Sequence, residues 1–380
     1  MTFPLRAFAL ASALSLAIPV NAAPKDDPGL AWTLVEGLTT EVGQRLAGSE
    51  REAAARDWAV ARLKALGLQN VRVEPFTVRS YVRGEETARL TAPYPHKLHV
   101  TALGYSVPTP PGGIEAELVY FPSFDALKAA PAGSLKGKIA FIDHAMRAAQ
   151  DGAGYGPFGA ARRQGPAIAS EKGALAVVIR SVGTDMHRNP HTGSTTYGTA
   201  APIPAGAVSL PDAELIARIA RRGKTMKLAL TLTGRPQEGL PSGNVIAELP
   251  GRDPGLPPLL LACHLDSWDL GTGAIDDAAG CAIVTAAALR AQEGGRPLRT
   301  IRLLWAGAEE IGLFGGAEYA RVHAAQPHAL AMESDFGADR VWALRTSFAQ
   351  SNKPLHDRLV AALAPLGIVA RDGAAQGGPD

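Results

Sequence analysis

Histidine and carboxylate side chains lie at or just after the ends of three apolar runs of the sequence. Two more carboxylates lie between the first run and the second. In chain order these side chains are His264, Asp266, Asp276, Asp277, Glu309, Glu310, Glu333 and Asp335. Short continuous apolar runs are typical of strands that are buried on both faces. Because open α/β sheets bind ligands outside the carboxyl ends of their strands, we expect these groups to meet at one edge of a sheet.

Several carboxylates at one buried edge repel each other unless protons or cations neutralise them. Taken singly, each pair has an ordinary explanation: a surface hydrogen bond, a helix cap or a solvated face. Their convergence favours a metal site instead. Imidazole and carboxylate ligands without a thiolate cluster suit Zn²⁺ better than Ca²⁺ or Mg²⁺. More carboxylates than one ion needs indicate a bridged pair of ions.

The elements around these residues are those of an α/β domain. Predicted strands alternate with predicted helices from residue 244 onward. The strands are 244–249, 259–263, 300–306 and 329–333, and the helices are 278–292 and 316–325. This order predicts a mostly parallel mixed sheet with helices on both faces. Earlier in the chain, Ser49 and Glu52 form a capping box that begins another helix.

A segment of different composition interrupts this domain. After the Pro- and Gly-rich stretch 108–113, short β runs alternate with Gly- and Ala-rich segments, and 234–243 resembles a second linker. Within the segment, 167–173 is predicted to be helical, and the polar stretch 184–199 predicts an exposed loop. We therefore divide the chain into four parts. They are a leader at 1–23, the first part of the larger domain at 24–113, a β-rich insert at 114–235 and a metal-binding part at 236–380.

The leader is typical of a signal peptide. Arg6 precedes the apolar run 7–20, which is too short for a comfortable membrane span, and small residues follow it at 20–23. We expect a secreted or periplasmic protein without membrane contact after cleavage, and an uncleaved anchor is the alternative. The 38 basic and 36 acidic residues are interspersed, so the sequence lacks the basic surface of a nucleic-acid-binding protein.

The chain has two cysteines, Cys263 and Cys281, and both flank the candidate metal ligands. An oxidising compartment permits a disulfide between them but does not require one. We expect two small buried thiols.

Four motifs in order resemble those of the di-zinc aminopeptidase family. They are His264-Leu265-Asp266-Ser267-Trp268-Asp269, Gly273-Ala274-Ile275-Asp276-Asp277, Ala308-Glu309-Glu310-Ile311-Gly312 and Met332-Glu333-Ser334-Asp335. This family includes the bacterial leucyl aminopeptidases. The motifs resemble most closely those of its plasma glutamate carboxypeptidase branch. The resemblance implies a zinc exopeptidase fold. The insert, through 137–141 and 172–179, is similar to a protease-associated domain.

The resemblance implies a role for each candidate residue. His264 and Asp335 would hold one zinc ion, Glu310 would hold the other, and Asp276 would bridge the two. Glu309 would be the general base that activates a metal-bridging water.

Two further residues take supporting roles under the same resemblance. Asp266 would hydrogen-bond His264 and fix its tautomer. Trp268 would line the substrate pocket, with core packing as the alternative role.

The resemblance also implies one ligand that the sequence does not supply. In the family, the second zinc site uses a histidine from a late loop. The one histidine after Asp335 is His356, in the predicted helix 354–363, where a helix-surface position is expected. We therefore expect the last part of the catalytic domain to lie beyond Asp380.

The predicted function is that of a zinc-dependent exopeptidase acting on small peptides, as an aminopeptidase, a dipeptidase or a carboxypeptidase. The expected partner is a peptide substrate, and a homodimer is left open. One alternative is a non-catalytic binding protein on the same scaffold, and another is an inactive fragment that lacks the last zinc ligand. A third is a single-zinc carboxypeptidase or a different two-zinc amidohydrolase.

Overall fold

The computed structural model describes residues 29–149, 153–335 and 340–373, so the predicted signal peptide lies outside the described residues. The strands are β1 (Gln69–Val82), β2 (Glu86–Ala92), β3 (His96–Leu98), β4 (Val100–Ala102), β5 (Ile114–Phe121), β6 (Ile139–Ile142), β7 (Ala176–Arg180), β8 (Ala205–Val208), β9 (Met226–Leu232), β10 (Arg235–Leu249), β11 (Leu259–His264), β12 (Ile301–Ala306), β13 (Leu330–Glu333), β14 (Ala343–Leu344) and β15 (Val369–Ala370). The α-helices are α1 (Gly29–Gly37), α2 (Glu50–Ala65), α3 (Phe124–Ala129), α4 (Tyr155–Glu171), α5 (Leu210–Arg221), α6 (Gly280–Glu293), α7 (Phe314–Val322) and α8 (Lys353–Leu363). Among these residues, no helix is both long and apolar enough to cross a membrane.

The first sheet has five strands in the order β1-β10-β12-β11-β13. The pairings of β12 with β11 and of β11 with β13 are parallel, and the other two are antiparallel. Apolar side chains of α2 and α6 pack on one face of this sheet, and Tyr319 of α7 packs on the other. The predicted mixed α/β sheet with helices on both faces is confirmed, and its parallel part is the part that carries the candidate ligands.

Helix α2 begins where the capping box predicts it. The Ser49 side chain accepts a hydrogen bond from the Glu52 backbone N–H (3.1 Å), and Glu52 accepts one from the Gly48 N–H (3.0 Å). These bonds satisfy backbone donors that the first helical turn leaves without partners. Ala55, Ala59 and other buried residues of α2 then face the sheet at helical spacing.

The second sheet has eight strands in the order β3-β2-β9-β5-β6-β7-β8-β4. Helices α4 and α5 contribute to its two cores through Ala161 and Ile216. Its strands extend from Glu86 to Leu232, so β2, β3 and β4 precede the predicted start of the insert at residue 114 and yet pair within the same sheet. The domain division and the protease-associated identity stay predictions.

The linker predicted at 234–243 is wrong, because these residues form the first half of β10. They pair with β1 in an antiparallel register in which Pro241 lies opposite Thr77 and Pro236 opposite Tyr81. β12 pairs with β10 only from Val245 onward, so this half of β10 has one open side. Proline, which lacks a backbone donor, is tolerated on such an edge.

The expectation of two free thiols is also wrong. Cys263 and Cys281 form a disulfide across 18 residues of sequence, with their Cα atoms 5.0 Å apart. Cys263 lies next to last in β11 and Cys281 lies in the first turn of α6, which packs on β11. This packing fixes the two positions within bridging distance.

Helix α4 begins at Tyr155, twelve positions before the predicted start at Ala167. Gly159, Gly165 and Pro166 lower the helix propensity of its first part, and this concealed the helix. The packing explains Gly165, because a Cβ atom there would lie 2.7 Å from Ile142 Cδ1 on β6.

Candidate metal centre

The parallel strands β11, β12 and β13 deliver their carboxyl ends to one edge of the first sheet. His264, the last residue of β11, lies opposite Ala306 of β12, and Ala262 lies opposite Glu333 of β13. The candidate ligands therefore converge as the sequence predicts. Glu333 lines a second cavity, beside Tyr319.

His264 is fully buried, and its two ring nitrogens face different partners. Nδ1 lies 3.0 Å from the backbone oxygen of Asp266, and Nε2 lies 2.9 Å from Asp276 Oδ1 and 3.3 Å from Asp335 Oδ1. Burial by itself lowers the pKa of His264, but the surrounding carboxylates, first of all that of Asp266, raise it well above its usual value. Because a carbonyl oxygen only accepts, Nδ1 carries a proton, and Nε2 is the atom directed at the carboxylates.

Asp266 is buried between β11 and the residues that follow β12. Its carboxylate accepts hydrogen bonds from the backbone N–H groups of Glu309 (3.0 Å) and Glu310 (3.3 Å). The carboxylate lies 3.6 Å from His264 Nδ1, farther away than the backbone oxygen of the same residue. Asp266 therefore orients His264 through its main chain and orients the two glutamates through its side chain.

Asp276 and Asp277 lie in a π-helical turn (Ala274–Ala279) before α6 and are joined by a cis peptide bond. The Asp277 carboxylate is fully buried and accepts from the backbone N–H groups of His264 (3.0 Å) and Gly280 (2.8 Å). Burial raises the pKa of Asp277 to about 8. Asp276, whose side chain is 49% exposed, faces His264 Nε2 and is free to face a second ion.

Glu309 and Glu310 follow β12 and point to different parts of the centre. Glu309 Oε2 lies 3.8 Å from His264 Nε2. Glu310 Oε1 accepts a hydrogen bond from the backbone N–H of Trp268 at 3.1 Å. Burial, and then the charge of Asp276, raise the pKa of Glu310 well above its usual value.

The donor atoms are close enough to share ions. His264, Asp276 and Glu310 each offer an atom within 4.8 Å of the others, and so do His264, Asp277 and Asp335. Asp335 Oδ1 is buried without a hydrogen-bond partner in the described part of the chain. A buried carboxylate oxygen in this state, beside an imidazole nitrogen, fits a divalent cation of the zinc type. Since backbone donors already occupy Asp277, Asp276 is the better placed ligand.

Arg45 supports this centre from behind, and sequence reasoning did not assign it a role. Its guanidinium is fully buried and donates to the backbone oxygens of Leu265, Thr272 and Gly273. Burial lowers the pKa of Arg45 to about 10, against the opposing effect of the carboxylates around it, the first of which is Asp266. Arg45 thus fixes the loop between β11 and α6.

A cavity of about 240 Å³ opens beside the carboxylates. One wall contains Trp268, Asp276 and Glu310, so Trp268 reaches the position predicted for a substrate contact. Trp268 also packs in an apolar cluster with Leu46 and other residues, which agrees with its alternative role.

A second part of this cavity's wall comes from the second sheet's segment and was not predicted. It includes Tyr155, His187 and His191. The loop 184–199 was predicted to be exposed, but Thr192 and Thr195 within it are buried, and nothing in its spacing indicated a site. His356 of α8, by contrast, lies 2.9 Å from Thr346 Oγ1 through its Nδ1 and does not line this cavity.

Comparison with known proteins gives concordant results. A model of peptidase family M28 matches residues 244–377. Carboxypeptidase Q from Bos taurus is 35% identical over 335 residues, which cover 87% of this chain and 70% of that protein. The crystal structure of a peptidase M28 precursor from Shewanella amazonensis SB2B is 44% identical with a TM-score of 0.87, covering 92% of this chain and 80% of that one.

A more distant structure has the same fold. The zinc aminopeptidase of Bacillus subtilis is 20% identical with a TM-score of 0.65, covering 92% of this chain and 80% of that one. The family predicted from the four motifs is therefore confirmed, and this chain belongs to peptidase family M28.

Proposed function

We propose that this chain hydrolyses small peptides from one end at a zinc centre built by the loops after β11, β12 and β13. As a member of its peptidase family, the chain is a metallo-exopeptidase. His264 and Asp335 would hold one ion, Glu310 the second, and Asp276 would bridge them. The observation that carries this assignment is the single imidazole nitrogen, His264 Nε2, directed at two carboxylates within 3.3 Å.

Zinc supplies Lewis acidity, which lowers the pKa of water and polarises a peptide carbonyl. The chain's own residues supply the proton transfer and the orientation. Glu309 is 12% exposed, lies beside the ligands and is held through its backbone by Asp266. A carboxylate in this position can take a proton from the attacking water and return it to the leaving nitrogen.

The end from which the peptide is cleaved is a separate part of the proposal. Carboxypeptidase Q is named for cleavage at the carboxyl end of a peptide, and the Bacillus aminopeptidase is named for cleavage at the amino end. We propose an aminopeptidase or dipeptidase, because the four motifs resemble those of the di-zinc aminopeptidase family and the Bacillus zinc aminopeptidase has the same fold.

The test is a substrate panel with and without a chelator. We expect the purified chain to hydrolyse unblocked dipeptides, to lose this activity on chelation and to regain it with zinc. N-acetylated dipeptides should resist cleavage. Cleavage of the acetylated peptides would show a carboxypeptidase instead. Absence of chelator-sensitive hydrolysis would contradict the catalytic proposal and favour a binding protein.

We further propose that the protein works outside the cytoplasm, as a secreted or periplasmic enzyme. The signal-like sequence at 1–23 supports this, and so does the Cys263–Cys281 disulfide, since disulfides persist in oxidising compartments. The N-terminal residue of the exported protein, determined by mass spectrometry, would test the proposed cleavage near Ala23.

A further inference from the structure

The cavity at the metal centre has two chemically different walls. Asp276 and Glu310 lie on one wall, and His191 and Tyr155 lie on the other. The second wall belongs to the segment that forms the eight-stranded sheet, so a peptide bound at the centre would contact both parts of the chain.

The buried guanidinium of Arg162 contacts both Tyr155 and His191. Arg162 of α4 is 8% exposed and forms no ion pair within the part of the chain that the structure describes. Its Nη1 lies 2.7 Å from the Thr192 backbone oxygen and 3.1 Å from both His191 Nε2 and Tyr155 Oη. Gly193 permits this approach, because a Cβ atom there would lie 2.5 Å from Arg162 Cζ.

This contact decides which nitrogen of His191 carries the proton. A guanidinium group only donates hydrogen bonds, so His191 Nε2 accepts from Arg162 and the proton resides on Nδ1. Burial, and then the charge of Arg162, lower the pKa of His191 to about 4, which keeps the ring neutral at physiological pH.

The protonated nitrogen is not used by the fold. His191 fixes its backbone by donating from its N–H to Ser181 Oγ (2.6 Å), and its Nε2 also lies 3.1 Å from Tyr155 Oη. Nδ1 has no hydrogen-bond partner among residues 29–149, 153–335 and 340–373. A ring held in one tautomer with its donor unused, in the wall of a cavity, is suited to an oxygen acceptor.

We infer that His191 is a substrate-binding residue that donates its Nδ1–H to an oxygen of the bound peptide, and that Arg162 is the positioning residue that sets this tautomer. This inference rests on the proposed peptidase function. The acceptor is either the terminal carboxylate of the peptide or a peptide carbonyl oxygen. Both are good acceptors for a neutral imidazole donor.

The test measures binding without turnover. In the zinc-loaded Glu309→Gln protein, calorimetry with an unblocked dipeptide should show at least about tenfold weaker binding after His191→Ala. His191→Asn should recover much of the loss, because the asparagine nitrogen occupies a position close to that of Nδ1. His191→Gln places its amide near Nε2 instead and should not. The exposed His96→Ala, on β3, is the matched control and should bind like the parent.

Binding of two ligands, a dipeptide and its C-terminal amide, distinguishes the two possible acceptors. If His191→Ala weakens binding of the dipeptide but not of its C-terminal amide, the acceptor is the carboxylate. If both weaken equally, it is a carbonyl. Unchanged affinity for both ligands in His191→Ala, with an unchanged melting temperature, would overturn the inference.

The tautomer is tested independently of activity. Nitrogen-15 NMR of labelled histidine, with His191→Asn to assign the signal, should show the Nδ1–H tautomer at neutral pH, and Arg162→Met should shift its nitrogen resonances. A predominant Nε2–H signal in the unmutated protein would also overturn the inference. Failure of the peptidase proposal is a different result, namely no hydrolysis by the unmutated enzyme.

Discussion

Arg45 supports the shape of the metal centre without being a ligand. Its guanidinium satisfies three backbone carbonyl groups in the loop between His264 and Asp276. A buried acceptor that loses its donor costs about 1–3 kcal/mol. We expect Arg45→Met to lower the free energy of unfolding by about 3 kcal/mol and to weaken zinc binding. Urea denaturation with and without zinc measures both effects.

The nearby Arg51→Met is the control for this change. Arg51 is exposed and donates a hydrogen bond to the Val42 backbone oxygen (3.1 Å). Its replacement should stay within about 0.5 kcal/mol. Equal denaturation midpoints for the Arg45 variant and the unmutated chain would contradict the role given to Arg45.

Among single residues, the candidate ligands could be singled out from the sequence, whereas most of the residues that position them could not. The type and order of His264, Asp276, Glu310 and Asp335 already indicate metal chemistry. His191 could not be found in this way, because its role depends on a fold contact with Arg162, 29 positions away in the sequence.

The start of helix α6 joins the metal-binding loop to the helix that follows it. The Gly280 N–H donates to Asp277, and a Cβ atom at Gly280 would lie 2.1 Å from the Ser334 backbone oxygen. The Ser334 backbone cannot move away as easily as the end of a flexible side chain. We therefore expect Gly280→Ala to destabilise the protein by more than about 2 kcal/mol. Thermal denaturation measures this change.

The other end of the same helix supplies the matched control. Gly294 has a φ of −78°, and a Cβ atom there would meet nothing within 4 Å. Gly294→Ala should be neutral or should stabilise the protein by up to about 1 kcal/mol. Similar melting temperatures for the two alanine variants would refute the steric argument.

Elements with a strong hydrophobic period were predictable, and those decided by tertiary contacts were not. The apolar runs of β11 and β12 and the capping box of α2 carry their own local signals. The first half of β10 does not, because Pro236 and Pro241 are typical of a linker and are tolerated only where one side of the strand is unpaired. The disulfide likewise depends on how α6 packs against β11.

The two sheets of the molecule are joined by a buried ion pair. Arg83 lies between β1 of the first sheet and β2 of the second, and donates to both oxygens of Asp269 at 2.7 and 2.6 Å. Thr192, from the second sheet's segment, donates to the Asp269 backbone oxygen at 2.7 Å. Asp269 thus binds both Arg83 and the segment of the second sheet that lines the cavity.

We expect Arg83→Met to cost about 3–5 kcal/mol, because Asp269 would remain buried at 7% exposure without its cation. Chemical denaturation measures the loss. The exposed pair of Lys353 and Asp357 is the control, and Lys353→Met should cost less than about 1 kcal/mol. If Arg83→Met lowers the free energy of unfolding as little as the control does, the Arg83–Asp269 ion pair does not stabilise the contact between the sheets.

For the whole molecule, the most direct measurement combines zinc content and turnover in Glu309→Gln, with the exposed Glu50→Gln as the control. Removing a general base costs about 10²–10⁴-fold in rate, whereas removing a ligand releases metal. We expect Glu309→Gln to keep the zinc content of the unmutated chain and to lose at least about a hundredfold in kcat. Normal turnover in this variant, or loss of zinc in parallel with activity, would contradict the role of Glu309 as the general base.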